Sequence, residues 1–230
     1  MERKEEDFLN LMKANQMLLS DWPEKKVDVL YIPGLSEGMV KCGKLFDVAI
    51  KEIYSNGLAD HIAFNGSNGE RYGSKVPGEG WPGHVWYIDN LTERINNIYD
   101  RSLNDIVGTI LFPTRPAFNS REETDALIEL MKKKGWTSVG FLTVAYHYPR
   151  AFVCLVQSMR AVGHRVKAYG MSPKATDWWR LMKGSQGVED TVPFAECVKD
   201  SHKTLDYIEK GFGCTLEELF SYLRYREKVV

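Results

Sequence analysis

The 230-residue chain lacks three features that would assign it to a broad class at once: an excess of charge of one sign, a long apolar run and a dense set of cysteines. A formal net charge of −1 argues against a large basic surface for nucleic acid. No apolar run approaches the roughly 18 residues needed to cross a bilayer, and residues 1–7 lack the apolar core of a signal peptide. We therefore expect a cytoplasmic protein with neither a nucleic-acid nor a membrane partner.

Metal and disulfide patterns are also missing. The four cysteines form no CxxC pair, so we expect free and mostly buried thiols. The five histidines show no HxxxH or HExxH spacing, and no metal site is predicted. The cysteines are Cys42, Cys154, Cys197 and Cys214.

Two nucleotide-binding signatures are absent as well. The turn after the first strand lacks GxGxxG, and the second strand leads into Asn65 instead of an acidic residue, which disfavours a dinucleotide oxidoreductase. The absence of GxxxxGK[ST] excludes a P-loop NTPase.

What the chain does contain is an alternation of strand-like and helix-like segments. Such alternation predicts an α/β fold, a Rossmann-like three-layer sandwich of about five mainly parallel strands with helices on both faces. The predicted strands cover residues 27–33, 61–64, 106–112, 138–144 and 165–169. The predicted helices of the core cover 40–53, 85–99, 120–134 and 149–162.

Three parts follow from this pattern. Residues 1–25 hold a helix packed on the core, residues 26–172 form the Rossmann-like core, and residues 173–230 form a helical extension that packs on it. Residues 66–83 contain six glycines and two prolines, which is typical of a lid or a disordered excursion. The helices predicted in the extension cover 177–182, 194–210 and 216–226, the last opened by a capping box of Thr215 and Glu218.

A polar cluster follows the third predicted strand. Ser120 and Glu123 have the spacing of a capping box, which alone could explain both side chains. Exposed amides at a helix start also favour an anion, so a phosphate or carboxylate could lie there beside Asn119 and Arg115.

A second polar cluster, containing Thr143, His147 and Arg150, follows the fourth predicted strand. Histidine titrates near neutral pH and suits acid-base catalysis. A cation in the first turn of a helix opposes the helix dipole, and an anionic ligand would remove that conflict. The alternative is a buried salt bridge between Arg150 and an acidic neighbour such as Glu122 or Glu123. Because carboxyl ends of parallel strands meet at one rim, both clusters should face one crevice.

Two turns nearer the N-terminus have both structural and functional interpretations. Residues 34–38, Gly-Leu-Ser-Glu-Gly, match GxSxG, so Ser36 is either a nucleophile or a helix cap. Asn65 and Gly66 open either an anion-binding nest of backbone amides or a flexible turn.

Together these motifs resemble the family of domain of unknown function 218, the YdcF-like, SanA-like and ElyC-like proteins. The matching stretches are residues 28–34, 64–66, 119–122 and 143–151, with Ser120 where the family has threonine and Thr114 where an acidic residue is common. The resemblance implies a Rossmann-like domain with a polar pocket on its carboxyl rim. It also implies a nucleotide-type ligand such as S-adenosylmethionine in soluble members, which this chain resembles, and envelope processes in membrane-anchored ones.

The sequence thus predicts binding of a small anionic, nucleotide-like or phosphate-bearing ligand, with hydrolysis of a phosphoryl ester or group transfer as the reaction. Alternatives are a non-enzymatic nucleotide or S-adenosylmethionine sensor, a serine hydrolase using Ser36, and a scaffold or homo-oligomer formed through the C-terminal helices with Trp178 and Trp179. The predicted catalytic residues are His147, Arg150 and Glu122. The predicted ligand-binding residues are Gly34, Asn65, Gly66, Asn119, Ser120 and Thr143.

Overall fold

A computed structural model describes residues 2–68, 70–71, 74–75, 81–98, 106–173, 177–184 and 190–228. Its centre is a five-stranded, all-parallel sheet with the strand order β3-β2-β1-β4-β5, surrounded by helices. The α/β Rossmann-like prediction is confirmed. The strands are β1 (Val29–Ile32), β2 (Ile62–Phe64), β3 (Leu111–Pro113), β4 (Ser138–Phe141) and β5 (Lys167–Gly170).

The strand order locates the crevice of the fold. β1 pairs with β2 on one side and with β4 on the other. The connection that follows β1 leads to β2, toward one edge of the sheet, whereas the connection that follows β4 leads to β5, at the opposite edge. In open α/β sheets a crevice opens at such a switch point, beyond the carboxyl ends of the strands. The loops after β1 and β4 therefore border it.

Eight helices surround the sheet within the described residues. The first three are α1 (Glu2–Leu19), α2 (Glu37–Cys42) and α3 (Leu45–Tyr54); the next are α4 (His84–Asn96), α5 (Ser120–Lys134) and α6 (Tyr148–Val162); the last are α7 (Pro193–Glu209) and α8 (Leu216–Tyr225). No helix in this described part is long and apolar enough to span a bilayer.

Strand residues alternate between two cores, which gives the three layers. Val29 and Tyr31 of β1 belong to a core that includes residues of α1, α5, α6 and α8, whereas Leu30 and Ile32 belong to a core that includes residues of α2, α3 and α4. Since side chains along a strand point to opposite faces, one apolar strand contributes to both cores. The near-continuous apolar run of β1 is explained by burial on both sides.

Several predicted boundaries are wrong. The helix predicted at 40–53 is two helices, because Lys44 adopts the left-handed conformation (φ 48°) and interrupts the helical backbone between α2 and α3. The third strand begins only at Leu111, after a turn in which Gly108 has φ 86°. The helix predicted at 177–182 does not form; instead residues 182–183 pair antiparallel with residues 190–191.

Three further predictions have different outcomes. The helix predicted near the N-terminus is present, but it packs through Leu11, Ala14 and Leu18, whereas Phe8 and Met12 are exposed. All four cysteines are free, and three of them are buried, as predicted. Of the lid predicted at residues 66–83, residues 69, 72–73 and 76–80 lie outside the described residues, and residues 70–71 pair antiparallel with residues 74–75.

Candidate functional site

A cavity of about 380 Å³ opens at the carboxyl ends of the strands, and we call it the rim cavity. Both polar clusters predicted from the sequence line it, together with residues that follow β1 and β2. The sequence-predicted residues in its wall are Gly34, Asn65, Asn119, Ser120, His147 and Arg150. Gly66, Glu122 and Thr143 are not in the wall.

The most unusual group in the rim cavity is the carboxyl of Glu123, which the sequence had assigned to a helix cap. Its Oε1 accepts hydrogen bonds from the Gly34 backbone N–H (2.7 Å) and from Asn65 Nδ2 (2.8 Å). No described residue hydrogen-bonds to Oε2. Burial raises the pKa of Glu123 to about 7, despite these two donors and the charge of Arg150. The group is therefore able to gain or lose a proton near neutral pH.

Asn65 holds this carboxyl in place and joins three loops. Its Nδ2 also donates to the Ala117 carbonyl (2.9 Å), and its Oδ1 accepts from the backbone N–H groups of Ser67 (2.9 Å) and Ala117 (3.3 Å). Both amide hydrogens and both oxygen lone pairs are thus used inside the protein. In this structure Asn65 orients Glu123, and its predicted contact with a ligand stays a prediction.

The two predicted glycines matter because other atoms approach them closely. A Cβ on Gly34 would lie 2.7 Å from Glu123 Oε1, and a Cβ on Gly66 would lie 1.9 Å from the backbone oxygen of Thr114. Neither separation is compatible with a side chain. Gly34 admits the buried carboxyl, whereas Gly66 lets the segments after β2 and β3 approach each other.

The start of α5 is capped differently from the prediction. Asn119, not Ser120, is the N-cap, and its side chain accepts a hydrogen bond from the Glu122 backbone N–H. The Glu122 carboxylate in turn accepts from the Phe118 backbone N–H (2.9 Å) and from Asn119 Nδ2 (2.7 Å). The Ser120–Glu123 capping box is therefore wrong. Glu122 completes the helix cap outside the rim cavity, and the neighbouring Glu123 points inward.

The second cluster contains an ion pair whose acidic partner the sequence did not predict. Arg150 Nη2 lies 2.8 Å from Asp200 Oδ1 of α7 and 3.0 Å from His147 Nδ1. The predicted alternative, a buried ion pair of Arg150 with an acidic neighbour, is therefore present, but the partner is Asp200 of α7 and not Glu122 or Glu123. All three side chains are buried or nearly so.

The protonation states within this cluster follow from burial and charge. Burial lowers the pKa of His147, and the guanidinium of Arg150 lowers it further. Burial acts to raise the pKa of Asp200, but the nearby Arg150 and His147 outweigh it and hold this pKa below its ordinary value. At neutral pH the cluster therefore contains a neutral imidazole beside an ionised pair.

Helix α7 also contributes residues to the rim cavity that no sequence motif indicated. Lys203, Asp206 and Tyr207 line it, and the Arg150 guanidinium lies 5.8 Å from the centre of the Tyr207 ring. Asp206 pairs with Lys210 (2.8 Å), while Lys203 has no ion-pair partner in the described part of the chain. The extension was predicted only to pack on the core, but it also closes one side of the cavity.

Thr143 and Ser36 lie outside the cavity wall. Thr143 is fully buried; its backbone N–H donates to the Tyr148 hydroxyl, and its own hydroxyl oxygen has no partner among the described residues. Ser36 is the N-cap of α2, where its Oγ accepts from the Met39 backbone N–H (3.3 Å). Its φ of −60° and ψ of 152° are ordinary extended values, which differ from the strained turn of a nucleophile elbow.

The two tryptophans of the scaffold prediction have different surroundings. Trp178 is partly buried against the core, whereas Trp179 is 71% exposed and stacks on Phe194. The predicted homo-oligomer stays a prediction.

Neither a metal-binding cluster nor a similar protein of known function helps to interpret the rim cavity. Within the described ranges, no group of three or more His, Cys, Asp or Glu side chains could hold a metal ion. No family model, curated protein or solved structure matches the chain. The rim cavity must therefore be interpreted from its own geometry.

Proposed function

We propose that the rim cavity binds a small anion that carries a phosphoryl group, and that the protein hydrolyses a phosphoryl ester or transfers that group. The observation that carries the proposal is Glu123. It is a buried carboxyl with one oxygen fixed by two donors and the other without a described partner, in a cavity that also contains cationic side chains. Buried groups with a shifted pKa in a cleft are typical of acid-base sites.

Recognition of the anion is supported by the charges around the cavity. Lys203 is a partly buried ammonium without an ion-pair partner among the described residues, and the Nε of Arg150 has no hydrogen-bond partner among them. The first turn of α5 begins at Ser120 in the same wall, and the positive end of the helix dipole favours an anion there. Lys203, Arg150 and the first turn of α5 thus bring positive charge to the cavity from three separate parts of the chain.

In the proposed reaction Glu123 acts as the proton donor. A water oxygen forms a bond to phosphorus, the bond from phosphorus to the ester oxygen breaks, and the carboxyl proton passes to the leaving oxygen. One proton of the water moves to a phosphate oxygen, inorganic phosphate and the alcohol leave, and Glu123 regains its proton from solvent. A pKa of about 7 keeps a substantial fraction of the acid protonated at neutral pH, as this role requires. General acid catalysis of this kind contributes roughly 10²- to 10⁴-fold.

The test measures the hydrolysis of two phosphate esters by variants of two adjacent glutamates, Glu123 and Glu122. Phenyl phosphate has a poor leaving group that needs a proton, whereas p-nitrophenyl phosphate has a good one that needs it much less. We expect Glu123→Gln to slow phenyl phosphate hydrolysis by roughly 10²-fold or more, and p-nitrophenyl phosphate hydrolysis much less. Glu122→Gln is the matched control and should leave both rates within about twofold, because Glu122 lies outside the cavity wall.

Binding of inorganic phosphate, measured by calorimetry, separates the two halves of the proposal. Phosphate binding without turnover of either ester would contradict the catalytic part and favour the sensor. Equal slowing of both esters in Glu123→Gln would contradict its role as proton donor. If phosphate does not bind, the proposal as a whole is wrong.

A further inference from the structure

We infer that Asp200 is a positioning residue which, through Arg150, holds His147 as a neutral hydrogen-bond donor facing the ligand, so that this histidine is not the group that carries the proton. The inference rests on the proposed function and assigns roles within the same site. It also revises the sequence prediction, in which His147 moved a proton.

The first step is the direction of the hydrogen bond between Arg150 and His147. Arg150 Nη2 lies 3.0 Å from His147 Nδ1, and a guanidinium can only donate. His147 Nδ1 must therefore present a lone pair and carry no hydrogen. The ring hydrogen is then on Nε2, which fixes one of the two neutral tautomers.

The second step is the part played by Asp200. Its Oδ1 lies 2.8 Å from the same Nη2, so the carboxylate forms an ion pair with the guanidinium nitrogen that also contacts the ring. Asp200 and His147 are 5% and 4% exposed, and a cation buried beside the imidazole needs a counter-charge to remain there. Asp200 supplies that charge from α7 and fixes the guanidinium against the ring.

Three charged side chains near the ring favour or oppose the imidazolium form of His147. Asp200 Oδ2 lies 3.6 Å from His147 Nδ1 and would favour an imidazolium, whereas Arg150 and Lys203 disfavour one. The guanidinium is closer to Nδ1 and already donates to it, and burial also opposes a charged ring. The neutral form therefore prevails.

The final step concerns the other ring nitrogen. His147 lines the rim cavity, and no described residue hydrogen-bonds to its Nε2. This N–H is free to donate to an oxygen of the ligand. A neutral donor of fixed orientation stabilises negative charge that develops on such an oxygen, without needing to change its own protonation.

Nitrogen-15 NMR of the imidazole rings in the full chain tests the assignment directly, and His147→Gln identifies the His147 signals. Without ligand, we expect a protonated Nε2 and an unprotonated Nδ1 at every pH from about 6.5 to 8.5, that is, from the ordinary histidine pKa upward. Arg150→Met should move the proton to Nδ1, facing Asp200, and raise the pKa of the ring. Asp200→Ala and Asp200→Asn should both give a mixture of tautomers, because each removes the counter-charge that fixes Arg150 against the ring.

A wild-type ring that becomes doubly protonated within this range, or carries its hydrogen on Nδ1, would overturn the inference. The wild-type spectrum decides even if the variants fail to fold. Since it needs neither ligand nor turnover, its outcome is distinct from a failure of the proposed phosphoryl chemistry.

Discussion

The two ends of the sheet both carry cavities, and the larger one is not the candidate site. The groove at the amino ends of the strands, bordered by Val27, Ser138 and Lys167, encloses about 1010 Å³, compared with about 380 Å³ for the rim cavity. Several of the charges that line this groove form ion pairs. The pairs are Lys26 with Asp60, Lys167 with Glu227, and Arg226 with Asp21.

A single carboxylate at each end shows the difference most clearly. Asp28 Oδ2, at the amino end, accepts four hydrogen bonds from the backbone and hydroxyl groups of Thr137 and Ser138. Burial alone would raise the pKa of Asp28, but these donors lower it. Glu123, at the carboxyl end, has two donors on one oxygen, and its pKa is raised. A polar group that the fold leaves incompletely satisfied points to function better than the size of a void does.

The largest expected effect is an opposite pH dependence of stability at the two ends. The folded-state pKa of Glu123 is about 7 against an ordinary 4.5, so the folded protein binds the extra proton between these values. Its contribution to the free energy of unfolding is therefore full below about pH 4.5 and falls by on the order of 3 kcal/mol as the pH rises to 7. Urea denaturation should show Glu123→Gln to be more stable than wild type at pH 8, with the difference vanishing near pH 4.5.

Asp28→Asn is the matched variant for the amino end. Because the pKa of Asp28 is lowered in the folded protein, its contribution is present above the ordinary 3.8 and is lost as the pH falls through the lower folded-state value. This variant should lose stability at neutral pH and approach wild type in acid. If both variants followed the same pH curve, the contrast between the two ends would be refuted.

The next largest effect is expected on the affinity of the rim cavity for inorganic phosphate. Lys203→Met should weaken binding of inorganic phosphate about tenfold, which corresponds to roughly 1.4 kcal/mol, because it removes an ammonium from the cavity wall. Lys25→Met removes the same charge from the amino-end groove and should change the affinity less than twofold. Titration calorimetry at low ionic strength measures both. Equal losses would mean that only the overall charge matters.

The smallest effect is expected at Ser36, which lies outside both cavities. Ser36→Ala should cost about 1 kcal/mol of stability through loss of the helix cap, because its Oγ accepts from the Met39 backbone N–H. Turnover of phenyl phosphate should not change. Covalent labelling of Ser36 in the folded wild type by a fluorophosphonate would contradict its assignment as a structural cap and revive the serine-hydrolase alternative.

Local signals in the sequence were sufficient for much of the fold. Helix α5 begins at Ser120 and ends at Lys134 as predicted, because polar residues precede it and Gly135 adopts the left-handed conformation that ends it. The capping box of Thr215 and Glu218 at α8 is also confirmed. The buried strands were recognisable as short apolar runs, although the strand order was not.

The site was only partly predictable, since its decisive contacts join distant segments. The Ser-x-x-Glu pattern at Ser120 fitted a cap, but Asn119 and Glu122 form that cap, which leaves Glu123 free to turn inward to Gly34. Asp200 carried no signal at all, because a lone acidic residue in an amphipathic helix resembles a solvated one. Only the folded chain brings it to Arg150.

The placement of Asp200 on α7 sets an order for assembly during synthesis. A nascent chain that has been made only as far as β5 already contains the strand and helix on which His147 and Arg150 are mounted, but it lacks the helix that carries their counter-charge. Until α7 docks, the guanidinium must stay hydrated, since enclosing it alone would be costly. Maturation of the pocket therefore waits until residues 193–209 have been made, and a core without α7 would expose an open, hydrated crevice in its place.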